Sequence, residues 1–135
     1  MASLITKQEK LIITDAWAGQ TWKVALLASS FTYNHATHST YASVSGSEAT
    51  GVGYTAGGET LTGKISGYVD TETVYLDATD LSFGPGVTLT NVRYAVCYDT
   101  SSGLIRAIFD FGSAQSCTNA TFTIQWSTNG LIRIT

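Results

Sequence analysis

The chain has 135 residues, a formal net charge of −3 and 44% hydrophobic residues; only 13% are charged, against a usual share of about 25%. That length fits one domain with a core of its own. Seven scattered basic residues cannot neutralise a phosphate backbone, which argues against nucleic-acid binding, and no apolar run approaches the ~18 residues of a membrane span.

In chain order, residues 1–20 are expected to form an N-terminal helix or arm and 21–135 a β-sandwich core, together one domain. Nothing at the start resembles a secretory signal, because Lys7, Gln8, Glu9 and Lys10 interrupt the apolar pieces. The helix is predicted over 6–16, with Leu11, Ile12 and Ala16 near one face and Gly19 placed to end it. The run WKVALLA from Trp22 reads as a strand covered on both faces, with Trp22, Val24 and Leu26 as core residues. Residues 31–47 lack a steady period and read as a long polar excursion with one short helical turn. Gly51, Gly53, Tyr54, Gly57 and Gly58 mark a sharp, close-packed bend.

Short strands are then expected at 59–63, 64–69, 73–77 and 81–83, and clearer ones at 87–98, 104–111, 121–126 and 131–135. Phe122, Ile124 and Trp126 alternate with Thr121, Thr123 and Gln125, so they are assigned to the core. Val92, Tyr94, Val96 and Tyr98 form a second such face, and Ile105, Ala107, Phe109 and Phe111 a third. Turns are predicted at Asp99-Thr-Ser-Ser-Gly103, at Gly84-Pro85-Gly86 and, as a two-residue hairpin, at Asn129-Gly130. The implied class is all-β, mainly antiparallel, as a β-sandwich or jelly-roll-like domain with one short N-terminal helix. A strand candidate reaching residue 135 leads to the expectation that the chain is a complete unit.

Chemical motifs are weak. Gly58-Glu-Thr-Leu-Thr-Gly63-Lys64 follows the first seven positions of a phosphate loop, but Ile65 stands where Ser or Thr should hold magnesium, and strand follows instead of helix. The glycines of 51–57 are misspaced for a dinucleotide loop. His35 and His38 could share a helical face toward a metal, yet zinc needs three or four ligands and the neighbours are Asn, Thr and Ser. Asp70 and Glu72, with Asp77 and Asp80 after them, could pair as glycosidase carboxylates, but acids flanking β-turns are commonly solvated. Cys97 and Cys117 read as free thiols, since two cysteines make no disulfide framework. Tyr33, Tyr41, Tyr54, Tyr68 and Tyr75 could serve as a sugar-stacking platform or as interface residues. No catalytic residue, metal or cofactor is expected.

Several segments in order carry a resemblance: Trp22-Lys-Val-Ala-Leu-Leu27, Phe31-Thr-Tyr33, His38, Tyr41-Ala-Ser-Val44, Glu48, and Gly51-Val-Gly53-Tyr-Thr-Ala-Gly-Gly58 before Leu61-Thr. Arg93-Tyr-Ala-Val96, Asp110-Phe-Gly112, Phe122-Thr-Ile-Gln-Trp126 and Gly130-Leu-Ile-Arg-Ile134 follow. This pattern resembles a group of small virion structural proteins of tailed bacteriophages. The resemblance implies a non-enzymatic protein, made in the bacterial host cytoplasm and located in the virion. A capsid cement or decoration protein on the assembled head is favoured, with the major capsid protein as partner. A tail, neck or baseplate component comes next, and a carbohydrate-binding host-attachment module is the alternative of another class. Polar positions filled by Ser and Thr are cheaper to desolvate than ions, which suits a homo-oligomer covered by its neighbours.

Overall fold

The computed structural model describes residues 5–135; residues 1–4 of the expected arm lie outside them. In chain order the elements are α1 (Lys7–Gly19), β1 (Trp22–Ala28), α2 (Tyr41–Val44) with a 3₁₀ turn (Ser45–Ser47), β2 (Glu59–Thr60) and β3 (Ile65–Tyr68). Then come β4 (Val74–Asp77), β5 (Leu81–Asp99), β6 (Ile105–Ile124) and β7 (Ile132–Ile134). Strands dominate and every pairing between them is antiparallel. The described residues divide into two compact units, one holding 5–20, 61–80 and 125–135 and the other 21–60 and 81–124. The described residues 5–20 therefore group with two later segments.

In the first unit, Thr6 caps α1, its side chain accepting the Glu9 N–H at 3.2 Å, and Glu9 suits the positive end of the helix dipole. The buried face is not the predicted one. Ile12 and Ala16 are exposed, whereas Lys10 and Thr14 are buried. Their polar atoms are satisfied by backbone carbonyls, which offsets their burial: Lys10 Nζ donates to the Glu72 carbonyl at 2.8 Å, and the Thr14 hydroxyl to the Leu11 carbonyl at 3.1 Å. The sheet of this unit has the order β3-β4-β7, with Val74 and Leu76 fully buried. Because β7 pairs with β4 and β6 lies in another sheet, Asn129-Gly130 is a turn but not the predicted two-residue hairpin.

In the second unit the sheet runs β2-β1-β5-β6. Central β1 is paired on both edges, and Trp22, Val24, Ala25, Leu26 and Leu27 have no exposed surface. Strands β5 and β6 form one long ribbon where four shorter strands were expected. Breaks in the pattern are absorbed as bulges, not as turns. Gly84-Pro85-Gly86 lies inside β5, at the register shift between the pairs Phe83↔Phe122 and Val87↔Ala120. Arg106 is an extra residue between Tyr98↔Ile105 and Cys97↔Ala107. It splits the predicted Ile105–Phe111 face: Ile105 and Ile108 pack on the cluster of Ala25, Leu27, Phe31, Val44, Val96 and Tyr98, while Ala107 and Phe109 stand opposite Cys97 and Ala95. Val92, Val96 and Tyr98 are buried as predicted, but Ala95 and Cys97 between them are buried too.

Of the six assigned core residues, Trp22, Val24, Leu26 and Ile124 are buried. Phe122 and Trp126 are only half-buried. Phe122 lies on β6, the outermost strand of its sheet. Trp126 falls just beyond β6 and is anchored by its indole N–H, which donates to the Thr79 carbonyl at 3.1 Å.

Candidate functional site

The glycine bend is built around Glu48. Tyr54 donates its hydroxyl to Glu48 Oε1 at 2.7 Å, the Gly57 N–H donates to the same oxygen at 2.8 Å, and the Tyr41 hydroxyl donates to Oε2. The Tyr54 hydroxyl also accepts the Leu26 N–H at 2.9 Å, and Tyr98 donates to the Gly57 carbonyl at 2.7 Å. Burial together with the Glu48 carboxylate pushes the Tyr41 and Tyr54 phenols above their ordinary range, and burial raises Tyr98. All three stay protonated donors in neutral water. Gly58 has φ +78° and a Cβ there would come within 1.8 Å of the Val24 carbonyl oxygen; at Gly51 one would meet the Thr88 carbonyl oxygen at 2.0 Å. Only glycine lets the bend approach β1 and β5 so closely. The bend is thus a scaffold, with the Tyr54 hydroxyl and the Gly57 amide turned toward Glu48.

A groove of about 710 Å³ lies on the same unit, lined among others by Tyr33, His35, His38, Tyr94, Arg106 and Asp110. One wall comes from the polar excursion, where Phe31 sits 5.2 Å from the His38 ring and 5.5 Å, edge-on, from Tyr94. The Tyr33 hydroxyl and His35 Nδ1 are 3.1 Å apart, and His38 Nδ1 accepts the Asn34 N–H at 2.9 Å. One nitrogen of each imidazole is therefore engaged locally. Among the described residues no group of three or more His, Cys, Asp and Glu side chains could hold a metal.

The other wall is β6. Arg93 and Asp110 form a two-pronged ion pair across the ribbon, at 2.8 and 3.1 Å, and Asp110 also accepts the Gly112 N–H at 2.8 Å. Arg93 and this amide hold the Asp110 carboxyl below the usual carboxylate range. They clamp the widest bulge, where β6 runs from Asp110 to Gln115 while β5 covers only Tyr94 to Val92. At the head of the ribbon Asp99 accepts the Ser102 hydroxyl at 2.7 Å and the amides of Ser101 and Ser102 at 3.3 Å, with Arg106 at 3.7 Å. The Ser102 hydroxyl is the main cause of its lowered pKa. The pairs around Asp99 and Asp110 were missed from sequence because each depends on cross-strand register; the Asp99-to-Gly103 turn was the only visible signal.

The remaining candidates separate. Asp70 lies in the β3–β4 turn and not on a strand; its carboxylate accepts the Glu72 and Thr73 amides at 2.8 and 2.7 Å, which lowers its pKa. Asp77 accepts the neighbouring Ala78 amide and Asp80 the Trp126 amide. Asp70 closes a turn, and Asp80 ties two segments distant in sequence. Residues after Lys64 form β3, so the phosphate-loop pattern has no helix behind it. Cys97 and Cys117 are free thiols. The tyrosines form no common platform: Tyr41, Tyr54 and Tyr75 are half-buried, Tyr68 lies under the Lys7 ammonium, and Tyr33 alone of the five stands at the groove. No helix among the described residues is long and apolar enough to cross a membrane. Comparisons with protein-family models, with curated proteins and with solved structures find no match.

Proposed function

We propose that this chain is a non-enzymatic structural protein of a bacteriophage virion, a cement or decoration protein that binds the assembled head as a homo-oligomer. Its two antiparallel sheets are read, within this proposal, as a β-sandwich or jelly-roll-like arrangement, one of the stable ways to bury their apolar faces. The observation that carries the reading is β6: twenty residues at the edge of its sheet, with only Arg106 and Asp110 charged. Natural edges are usually guarded by Lys, Pro or short length. An edge this long, with no Lys or Pro on it, on a charge-poor chain suits a protein that spends its working life covered. In the groove the Tyr33 hydroxyl meets His35 Nδ1 at 3.1 Å, and the carboxylates of Asp70, Asp99 and Asp110 are committed to turns or ion pairs.

Quantitative mass spectrometry of purified particles tests this. A cement protein is present at hundreds of copies and stays with separated heads, whereas a tail, neck or baseplate component appears in tens or fewer. Absence from particles overturns the proposal. A carbohydrate-binding attachment module is the second reading, favoured by Tyr33, which is 49% exposed at a groove that also offers Asp110 and Arg106. Calorimetric binding of host polysaccharide that disappears in Tyr33→Ala supports that alternative.

A further inference from the structure

We propose that the groove seats a neutral sugar ring, with its apolar face on Tyr33 and its hydroxyls on His38 and Asp110. The proposal rests on the carbohydrate-binding reading above, for which it names the ligand class and the residues that hold it, and it does not depend on the head reading. The groove's volume of about 710 Å³ falls within the ~300–1,000 Å³ of small-molecule sites. Its lining mixes apolar side chains, among them Leu104 and Ile108, with polar groups from both walls. Tyr33 supplies the stacking surface. It is 49% exposed, and the two rings beside it meet it at an angle, His35 at 78° and His38 at 45°, each with its centroid 6.1 Å away. No ring of the described residues lies flat on Tyr33, which leaves a face for the C–H side of a pyranose.

The polar groups supply one donor and one acceptor. His38 Nδ1 accepts the Asn34 N–H at 2.9 Å, so the uncharged ring carries its proton on Nε2 and can donate it to a hydroxyl. Asp110 Oδ1 takes both the Arg93 Nε–H and the Gly112 N–H, whereas Oδ2 takes one bond from Arg93 at 3.1 Å and keeps a lone pair. A hydroxyl is the group that accepts from the first and donates to the second. Charge then selects the neutral class. Asp110 is paired with Arg93, and Arg106, the guanidinium of the lining, is held at Asp99 at 3.7 Å. An anionic sugar would meet the Asp110 carboxylate with both guanidinium groups already committed, and an unpaired charge is costly to desolvate. Protein contacts centre on clusters of packed anchors; one open ring between a donor and an acceptor fits a pyranose better.

The test titrates the isotope-labelled full chain and follows its backbone amide shifts. The probes are neutral oligosaccharides of glucose, galactose, mannose and N-acetylglucosamine, and anionic ones of galacturonate and sialic acid. At least one neutral probe is expected to bind, with the largest shifts within 33–39 and 104–110. Tyr33→Ala is expected to weaken that probe about tenfold or more, whereas Tyr33→Phe, which keeps the ring, should stay within about threefold of the wild type. The amide spectrum of each variant reports its folding, and the wild-type shift map stands without either variant. Binding of anionic probes alone, largest shifts elsewhere in the chain, or a folded Tyr33→Ala variant that binds like the wild type overturns the site and leaves carbohydrate binding standing. No shift with any probe overturns both. A Tyr33→Ala chain that binds no probe less well but is lost from purified heads assigns the groove to the head contact, and the sugar site falls.

Discussion

Strands β1 and β6 belong to the same sheet and obey opposite rules. β1 is seven residues long, paired on both edges and buried on both faces, so one environment acts on every position and the sequence is a plain apolar run. β6 is twenty residues long, paired on one edge, half-covered, and interrupted by register shifts. Its residues meet buried, groove-facing and solvated surroundings in turn. A central strand is specified by hydrophobicity alone, whereas an edge strand is specified by where its bulges fall and by which charges clamp them.

The sharpest way to break this contrast is to truncate one tryptophan from each side of it. Trp22 opens β1 and is fully buried; Trp22→Ala should cost about 3–5 kcal/mol. Trp126, just past β6, is half-buried, and Trp126→Ala should cost about 1–2 kcal/mol in proportion to the smaller area lost. Equal losses in chemical denaturation would mean that the two tryptophans are equally packed.

The second test asks whether the glycine bend is part of the β1 environment. At Gly58, φ +78°, an added Cβ would lie 1.8 Å from the Val24 carbonyl oxygen, whereas at Gly57, φ +93°, its nearest atom would be the Tyr98 hydroxyl at 3.4 Å. Gly58→Ala should therefore cost roughly 3 kcal/mol or more, strain and overpacking together. Gly57→Ala should cost about 1–2 kcal/mol from strain alone. Comparable thermal melting of the two variants would remove close approach as the reason for glycine. Glu48→Gln, which keeps the size but not the charge beneath Tyr41, Tyr54 and Gly57, should lose about 1–3 kcal/mol. A neutral result would mean that the bend is held by its glycines alone.

Much of the same contrast governs what could be read from sequence. The β1 run, the turn at 99–103 and the bend at 51–58 were legible, because each follows from local pattern or from φ requirements. The merging of 81–98 and 104–126 into two long strands was not, since Gly84-Pro85-Gly86 looks like a turn unless the pairing partner is known. The inner face of α1 was hidden for a different reason: Lys10 and Thr14 are buried because a backbone carbonyl happens to satisfy each. Of the groove, the polar excursion was visible as irregular sequence, but Arg93 and Asp110 lie seventeen positions apart and meet only through register.

Acid should act on the β5–β6 side of the contrast. Asp99 and Asp110 have folded pKa values below their ordinary ones, through the Ser102 hydroxyl and through Arg93. Groups lowered by folding stabilise the native state above their unfolded value, about 3.9, and lose that contribution as pH falls through the folded values. Stability should therefore be flat near neutrality and decline below about pH 4. Asp99→Asn should make the decline shallower by removing one of these groups, which denaturation across pH 2.5–5 would reveal as a smaller slope (pH limits approximate). An unchanged slope would mean that Asp99 is no better solvated by its turn than by water.

The smallest effect belongs to the far half of β6. Thr118 is exposed on the edge strand, between Cys117 and Asn119, where the ribbon turns its hydroxyls to solvent. If this stretch is held by the backbone ladder to β5 and not by side-chain packing, Thr118→Ala should change stability by less than about 0.5 kcal/mol. A loss above about 1 kcal/mol that grows with protein concentration would locate a contact between copies on this half of the strand, and the edge would then be held by a neighbour and not by the ladder alone.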